Sequence, residues 1–191
     1  STRDSQGNTL TPEQQEFFKD SKVRDENGNL LVLYHGTTAS EKFYTFSTKH
    51  WRTGADYGVY TSTSRDIAMQ FASDDSNIYE IYANLKNPLI VDVDYSTWSN
   101  LELYNYPEIY DALGGDENFI EPDDLIDYAR DEGYDGVIIR NILEGDTHSG
   151  VSDDVIAFDS NQAKLTTNKN PTSNPDIRYS LSPETDNQGR T

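Results

Sequence analysis

Leu31-Val32-Leu33-Tyr34-His35-Gly36-Thr37 is a run of apolar β-formers that ends on a histidine and a glycine. Such a run reads as a strand, and it brings a polar side chain and a bare stretch of backbone to one spot. Glycine has no Cβ, so a planar ligand can lie against its main chain and exchange hydrogen bonds with its N–H and C=O. His35 adds a ring nitrogen that titrates close to neutral pH. A strand end with a turn glycine and a partly buried histidine is the competing reading, and the segments downstream decide between the two.

Outward from this strand, short apolar runs alternate with turn residues. Residues 58–62 form a short strand, after which Ser64 caps a helix with Ile67, Ala68 and Phe71 on one face. Residues 78–85 alternate apolar and polar, 89–93 follow Asn87-Pro88 as another strand, and 137–140 and 155–158 add two more. Residues 122–130 read as a helix, while 95–121, rich in aromatics and acids, receive no assignment. Upstream, Thr11-Pro12-Glu13-Gln14 carries a capping box with proline at the first helical position, and predicts a helix to about Lys19. Residues 3–10 and 24–31 share the pattern Arg-Asp-x-x-Gly-Asn-x-Leu, but two copies are too few for a solenoid. In the second copy Asn27-Gly28 reads as a hairpin turn, since a calcium loop needs its glycine at the sixth position and a glutamate at the twelfth. Short strands, few long helices and no βαβ rhythm point to an α+β fold of mostly antiparallel sheets. The expected organisation is an N-terminal extension with a short helix over 1–22, one central domain over 23–167, and a flexible tail over 168–191.

Composition narrows the function. A chain of 191 residues accommodates one core-bearing domain. Its 34 acidic against 15 basic residues give a net charge of -19, which repels a phosphate backbone and disfavours a nucleic-acid partner. No apolar run approaches the roughly 20 residues of a membrane-spanning helix, and the start lacks the pattern of a secretion signal. Without cysteine there are no disulfides, thiol nucleophiles or cysteine-ligated zinc. Three histidines without a paired carboxylate cluster predict no metal site. The chain begins with Ser1 and its only methionine is Met69, so it reads as a fragment of a larger polypeptide or as a processed chain.

Three segments then fall in a telling order: Tyr34-His35-Gly36-Thr37; Gly58-Val59-Tyr60 with Phe71 eleven positions on (71 − 60 = 11); and Asp154-Val155-Ile156-Ala157-Phe158-Asp159-x-x-Gln162. This order resembles the ADP-ribosyltransferase superfamily of the diphtheria-toxin and poly(ADP-ribose) polymerase type, with its histidine, tyrosine and acid. More narrowly, residues 84–91 and the tail Asn174-Pro175-Asp176-Ile177-Arg178-Tyr179-Ser180 look like the ADP-ribosyltransferase-like domains of phage MuF and polyvalent proteins. The resemblance covers roughly residues 35–165. It implies two packed, mostly antiparallel sheets with flanking short helices, and NAD as substrate without a metal.

The resemblance also implies roles. Asp154, His35 and Tyr60 form the catalytic set; His35, Gly36, Thr37, Tyr60, Ser62 and Phe71 bind the dinucleotide. Gly36 clamps the nicotinamide carboxamide through its backbone, His35 bonds a hydroxyl of the adenosine ribose, and Tyr60 and Phe71 sandwich the nicotinamide ring. Asp154, placed at the start of its strand, holds a ribose hydroxyl and faces the positive charge that develops as the nicotinamide bond breaks. Relatives carry glutamate there and often a serine where Ala68 stands. For Tyr60 and Phe71 the plain alternative is core packing, and for Asp153-Asp154 a solvated acidic turn. Within Lys49-His50-Trp51-Arg52, Arg52 suits the NAD pyrophosphate and Trp51 the adenine; a solvated loop is the alternative. Ser62-Thr63-Ser64 matches a second superfamily class, but that class expects arginine on the first strand and a glutamate-x-glutamate pair, where this chain has His35 and Ser152 before Asp154.

The expected activity is mono-ADP-ribosylation of a protein acceptor, with residues 141–151 facing that acceptor by resemblance. The setting it implies is a phage-associated effector or toxin delivered into a bacterial cytoplasm. NAD hydrolysis and an inactive NAD- or ADP-ribose-binding module are the alternatives, and a purely structural attachment domain predicts neither binding nor turnover.

Overall fold

The computed structural model describes residues 1–37, 57–72, 74, 77–143 and 150–173. In chain order the strands are β1 (Leu33–Gly36), β2 (Val59–Ser62), β3 (Ile78–Ala83), β4 (Pro88–Asp92), β5 (Gly136–Leu143), β6 (Val151–Ala157) and β7 (Ala163–Leu165). The helices are α1 (Pro12–Phe17), α2 (Arg65–Met69), α3 (Pro107–Ala112) and α4 (Pro122–Asp131). The strands pair in the order β4-β5-β6-β2-β1-β3-β7, so β1 lies inside the sheet, between β2 and β3. Every pairing is antiparallel except β4 with β5. A parallel pair needs a crossover, and residues 93–135, carrying α3 and α4, supply it. This is a single βαβ unit, not a repeated rhythm; its strands and α4 fall where the sequence predicts them, while α3, six residues long, is too short for its apolar spacing to announce it.

The sheet is joined at its middle by a single rung. β1 pairs with β3 at four positions and β2 with β6 at four, yet β1 and β2 register only at Tyr34↔Ser62. Leu33, Ile81, Ala83 and Ala163 from one half share a buried cluster with Val59, Ile138, Val155 and Ala157 from the other. The sheet therefore turns back on itself and packs its halves together, the α+β arrangement of two packed sheets.

Each outer face has its own cover. On the β4-β5-β6-β2 half, α4 buries Pro122, Leu125, Ile126 and Ala129, spaced as one helical stripe, and the last three pack with Val137, Ile139 and Ile156. On the other half, the first thirty residues bring Leu10, Phe18 and Leu30 against Val32 and Tyr82. Helix α1 starts at the capping box, with Gln14 N–H donating to Thr11 Oγ1 at 3.0 Å and Thr11 N–H to Gln14 Oε1 at 2.9 Å.

The two Arg-Asp-x-x-Gly-Asn-x-Leu copies fold into the same turn. Asp4 Oδ1 accepts from the Gln6 and Asn8 N–H groups at 2.9 Å each, and Asp25 Oδ1 from those of Asn27 and Asn29 at 2.9 Å each. Each turn closes at a glycine with positive φ, Gly7 at 87° and Gly28 at 80°. Arg3 Nη1 donates to the Gly7 carbonyl at 2.8 Å, as Arg24 Nη1 does to that of Gly28 at 3.0 Å. The turns stack side by side, bridged at Asp4↔Leu30.

Candidate active site

Register across the sheet decides which side chains share a face. Tyr34, Ser62, Asp154 and Ile139 form one continuous rung through β1, β2, β6 and β5. Two residues along, Tyr60 opposes Ile156 on the same face, and Gly36 takes the corresponding place on β1. The sheet order β6-β2-β1 thus sets Asp154, Tyr60 and His35-Gly36 on three neighbouring strands, although 119 residues separate His35 from Asp154 (154 − 35 = 119).

Asp154 is 0 % exposed. It does not begin its strand, as the sequence reading had it, because β6 starts at Val151. A bulge between Ile139 and Ile142, with Asn141 at φ 58°, lets β5 keep pairing, Ile142 with Ser152 and Leu143 with Val151. The neighbouring Asp153 sits inside the same strand rather than in a solvated turn. Its Oδ1 accepts from Asn141 N–H at 3.0 Å, its N–H donates to Thr63 Oγ1 at 3.0 Å, and its carbonyl accepts from Thr63 N–H at 3.0 Å. Asn141 in turn donates through Nδ2 to Asp92 Oδ2 at 2.9 Å. One acid braces the strand; the other is delivered by it.

His35 opposes Tyr79 on β3, on the side of the inter-sheet cluster, so its ring leaves β1 away from the Asp154 face. Its Nδ1 lies 2.7 Å from the Tyr60 carbonyl oxygen. A carbonyl only accepts, so Nδ1 carries the proton and Nε2 presents a lone pair. Burial holds the imidazole below its ordinary titration range, with the Tyr60 bond pulling the other way, and the ring is neutral at neutral pH. The histidine and the tyrosine are therefore coupled through backbone at the place where β1 and β2 stop pairing.

Gly36 is needed for a second reason beyond ligand access. A Cβ there would lie 2.0 Å from the Ala68 carbonyl oxygen and 2.9 Å from its carbon, so α2 packs directly on this glycine. The same Ala68 carbonyl accepts from Phe71 N–H at 3.0 Å. Phe71, just past the end of α2, is 55 % exposed, whereas Tyr60 is partly buried against the α4-side core. Thr37 leaves β1 with its N–H bonded to the Asn77 carbonyl at 3.0 Å.

The Ser62-Thr63-Ser64 triplet has a structural reading of its own. Ser62 Oγ accepts from Ser64 N–H at 3.0 Å, Thr63 Oγ1 bonds β6, and Ser64 Oγ caps α2 by accepting from Ile67 N–H at 3.3 Å. Thr63 and Asp92 escaped the sequence reading, and Asn141, expected to open the acceptor-facing loop 141–151, lies inside β5 instead. Only the triplet hinted at Thr63, and Asn141 shows itself through a positive φ that no pattern of residues reveals.

Arg52, with Lys49, His50 and Trp51, lies outside the described residues, as do 144–149 and the motif from Asn174 to Ser180. Among the described residues no group of three or more His, Cys, Asp or Glu is arranged to hold a metal ion, and no helix is long and apolar enough to cross a membrane.

Residues 25–173 match the family model described as ADP-ribosyltransferase in polyvalent proteins. No curated protein matches the chain.

Proposed function

The chain belongs to the ADP-ribosyltransferase family of polyvalent proteins, and from that premise we propose that it is an NAD-dependent mono-ADP-ribosyltransferase acting on a protein acceptor. The observation that carries the reading is Asp154, a fully buried acid on a central strand, one strand from Tyr60 and two from His35 and Gly36.

The chemistry needs such an anion. Breaking the bond between nicotinamide nitrogen and ribose C1 builds positive charge on the sugar, and a fixed carboxylate in a dry setting favours that state over the ground state. The acceptor's nucleophile then bonds to C1 and sheds its proton. In this reading Asp154 holds a ribose hydroxyl and faces C1. Tyr60 and Phe71 stack on the nicotinamide, and the Gly36 backbone holds its carboxamide. Neutral His35 accepts from a hydroxyl of the adenosine ribose through Nε2, with Thr37 and Ser62 bordering the ligand. Arg52 is assigned to the pyrophosphate. The domain works as one part of a larger polypeptide, in the setting of a phage-borne effector.

The test is nicotinamide release from NAD, with and without cell lysate, by the parent, Asp154→Ala and Asp154→Glu. The alanine variant is expected to lose on the order of 10²- to 10³-fold, while glutamate retains activity. An alanine variant as active as the parent overturns the assignment. Labelled ADP-ribose that stays free rather than joining protein makes the domain a glycohydrolase. Normal NAD binding without release makes it a binding module.

A further inference from the structure

Between Lys86 and Arg130 the chain contains no lysine or arginine at all, yet it carries eleven aspartates and glutamates and seven aromatic residues. The fold gathers part of this stretch into a surface cleft of about 180 Å³, with Tyr104, Tyr110 and Phe119 among its aromatic lining and Glu102, Asp116 and Glu117 among its acids. Aromatic rings of this size are ordinarily covered, but Phe119 is 78 % exposed and Tyr104 is 70 % exposed. The cleft is also built. The Tyr110 ring fills the space where a Cβ on Gly115 would stand, at 2.3 Å, and its hydroxyl donates to Asp116 Oδ1 at 3.1 Å. Tyr104 stands 5.9 Å from Tyr110, ring to ring, at 49°.

From the cleft the chain runs directly to the strands of the site. Leu101 N–H bonds the Ile120 carbonyl at 2.7 Å, and the turn at residues 97–100 presents Trp98, 48 % exposed. Thr97 then bridges Leu143 at the end of β5, and Leu143 pairs with Val151, three residues before Asp154 on β6.

We infer that this cleft docks an arginine-bearing basic segment of the acceptor protein, an inference that rests on the transferase reading for its purpose. Guanidinium groups stack flat on aromatic faces and fork onto carboxylates, and a surface free of cations over this stretch offers both without competition. Arginine here is a handle that brings the acceptor to the start of β6, not the group modified.

The probe is a short fluorescein-labelled peptide of alternating arginine and serine, with lysine-serine and glutamate-serine counterparts, followed by anisotropy at low and physiological salt. The arginine peptide is expected to bind best, the glutamate peptide not at all, and affinity to fall as salt rises. Tyr104→Ala with Phe119→Ala is expected to weaken binding about tenfold or more. Glu102→Gln with Glu117→Gln, exchanged at the surface and harmless to folding, is expected to weaken it and flatten its salt dependence. Equal binding of the glutamate peptide, or unchanged affinity in both double variants, overturns the docking surface. Asp154→Ala should bind the peptide as the parent does. Excess arginine peptide should suppress ADP-ribose incorporation into lysate protein while leaving nicotinamide release unchanged; incorporation that resists the peptide overturns the acceptor role. If the parent releases no nicotinamide, the transferase reading fails by itself, and the peptide arm still decides whether the cleft binds arginine.

Discussion

At the level of single residues, His35 carries a pH dependence whose direction follows from its surroundings. Its folded-state titration lies below the ordinary value of 6.5, chiefly because burial disfavours the imidazolium. Over the interval beneath 6.5 the unfolded chain therefore binds more protons than the folded one, so stability rises with pH there. The contribution is complete above about 6.5 and is lost as pH falls toward the lowered folded value. Urea midpoints measured from pH 8 to pH 5 on the parent and on His35→Gln are expected to converge as pH falls, the difference isolating this group from the many carboxylates. Parallel curves would sink the argument. Which of two adjacent acids lies inside was less legible than the histidine. Val155-Ile156-Ala157 is apolar on both faces, so no alternation tells Asp153 from Asp154, and only the order of the three motifs singled out the second.

At the level of elements, the first strand and the helix after β2 are bound together by what Gly36 lacks. The obstruction to a side chain there is the main chain of Ala68, which cannot rotate aside as a flexible side chain does. Gly36→Ala is expected to push α2 off β1 and cost about 1–3 kcal/mol, read as a lower urea midpoint at unchanged slope. An unchanged midpoint means that α2 moves freely over β1. Because Phe71 hangs from the same Ala68 carbonyl, nicotinamide release by this variant should fall as well. The elements themselves were largely readable: turn residues and short apolar runs marked β1, β2, β3 and β4, and a proline and a four-position apolar stripe marked α4. The early start of β6 was not. Residues 151–154 read Val-Ser-Asp-Asp, a poor strand by composition, and they are held in the sheet by a bulge in β5 and by Thr63 rather than by their own propensity.

Across the whole molecule, the segment expected as an extension behaves as the lid of a core. Its own Leu10 and Phe18 are buried against Leu30, Val32 and Tyr82, Tyr82 on β3 donates to Asp4 at 2.6 Å, and Gln14 reaches the Asn168 carbonyl at 3.0 Å. Asp4 reports the same attachment: burial alone pushes its carboxyl up, but the bonds from Tyr82, Asn8 and Gln6 together hold it below its ordinary value. The sequence offered the capping box and the repeated Arg-Asp turn, but neither says what a segment packs against. That depends on Tyr82, whose neighbours Ile81 and Ala83 face the opposite cluster. Burying one large apolar side chain contributes about 1.5–3 kcal/mol, so losing Leu10 and Phe18 together costs roughly 3–6 kcal/mol. Domains of this size are stable by about 5–15 kcal/mol in total. A chain starting at residue 23 is therefore expected to melt well below the full chain, and Phe18→Ala, at about 3–5 kcal/mol, to reproduce much of the loss without shortening it. Thermal denaturation of the three proteins side by side is the check. A shortened chain that melts with the parent would make the first 22 residues a passive appendage and leave Tyr82, Val32 and Leu30 an exposed apolar face without consequence, which the cost of wetting such a face does not permit.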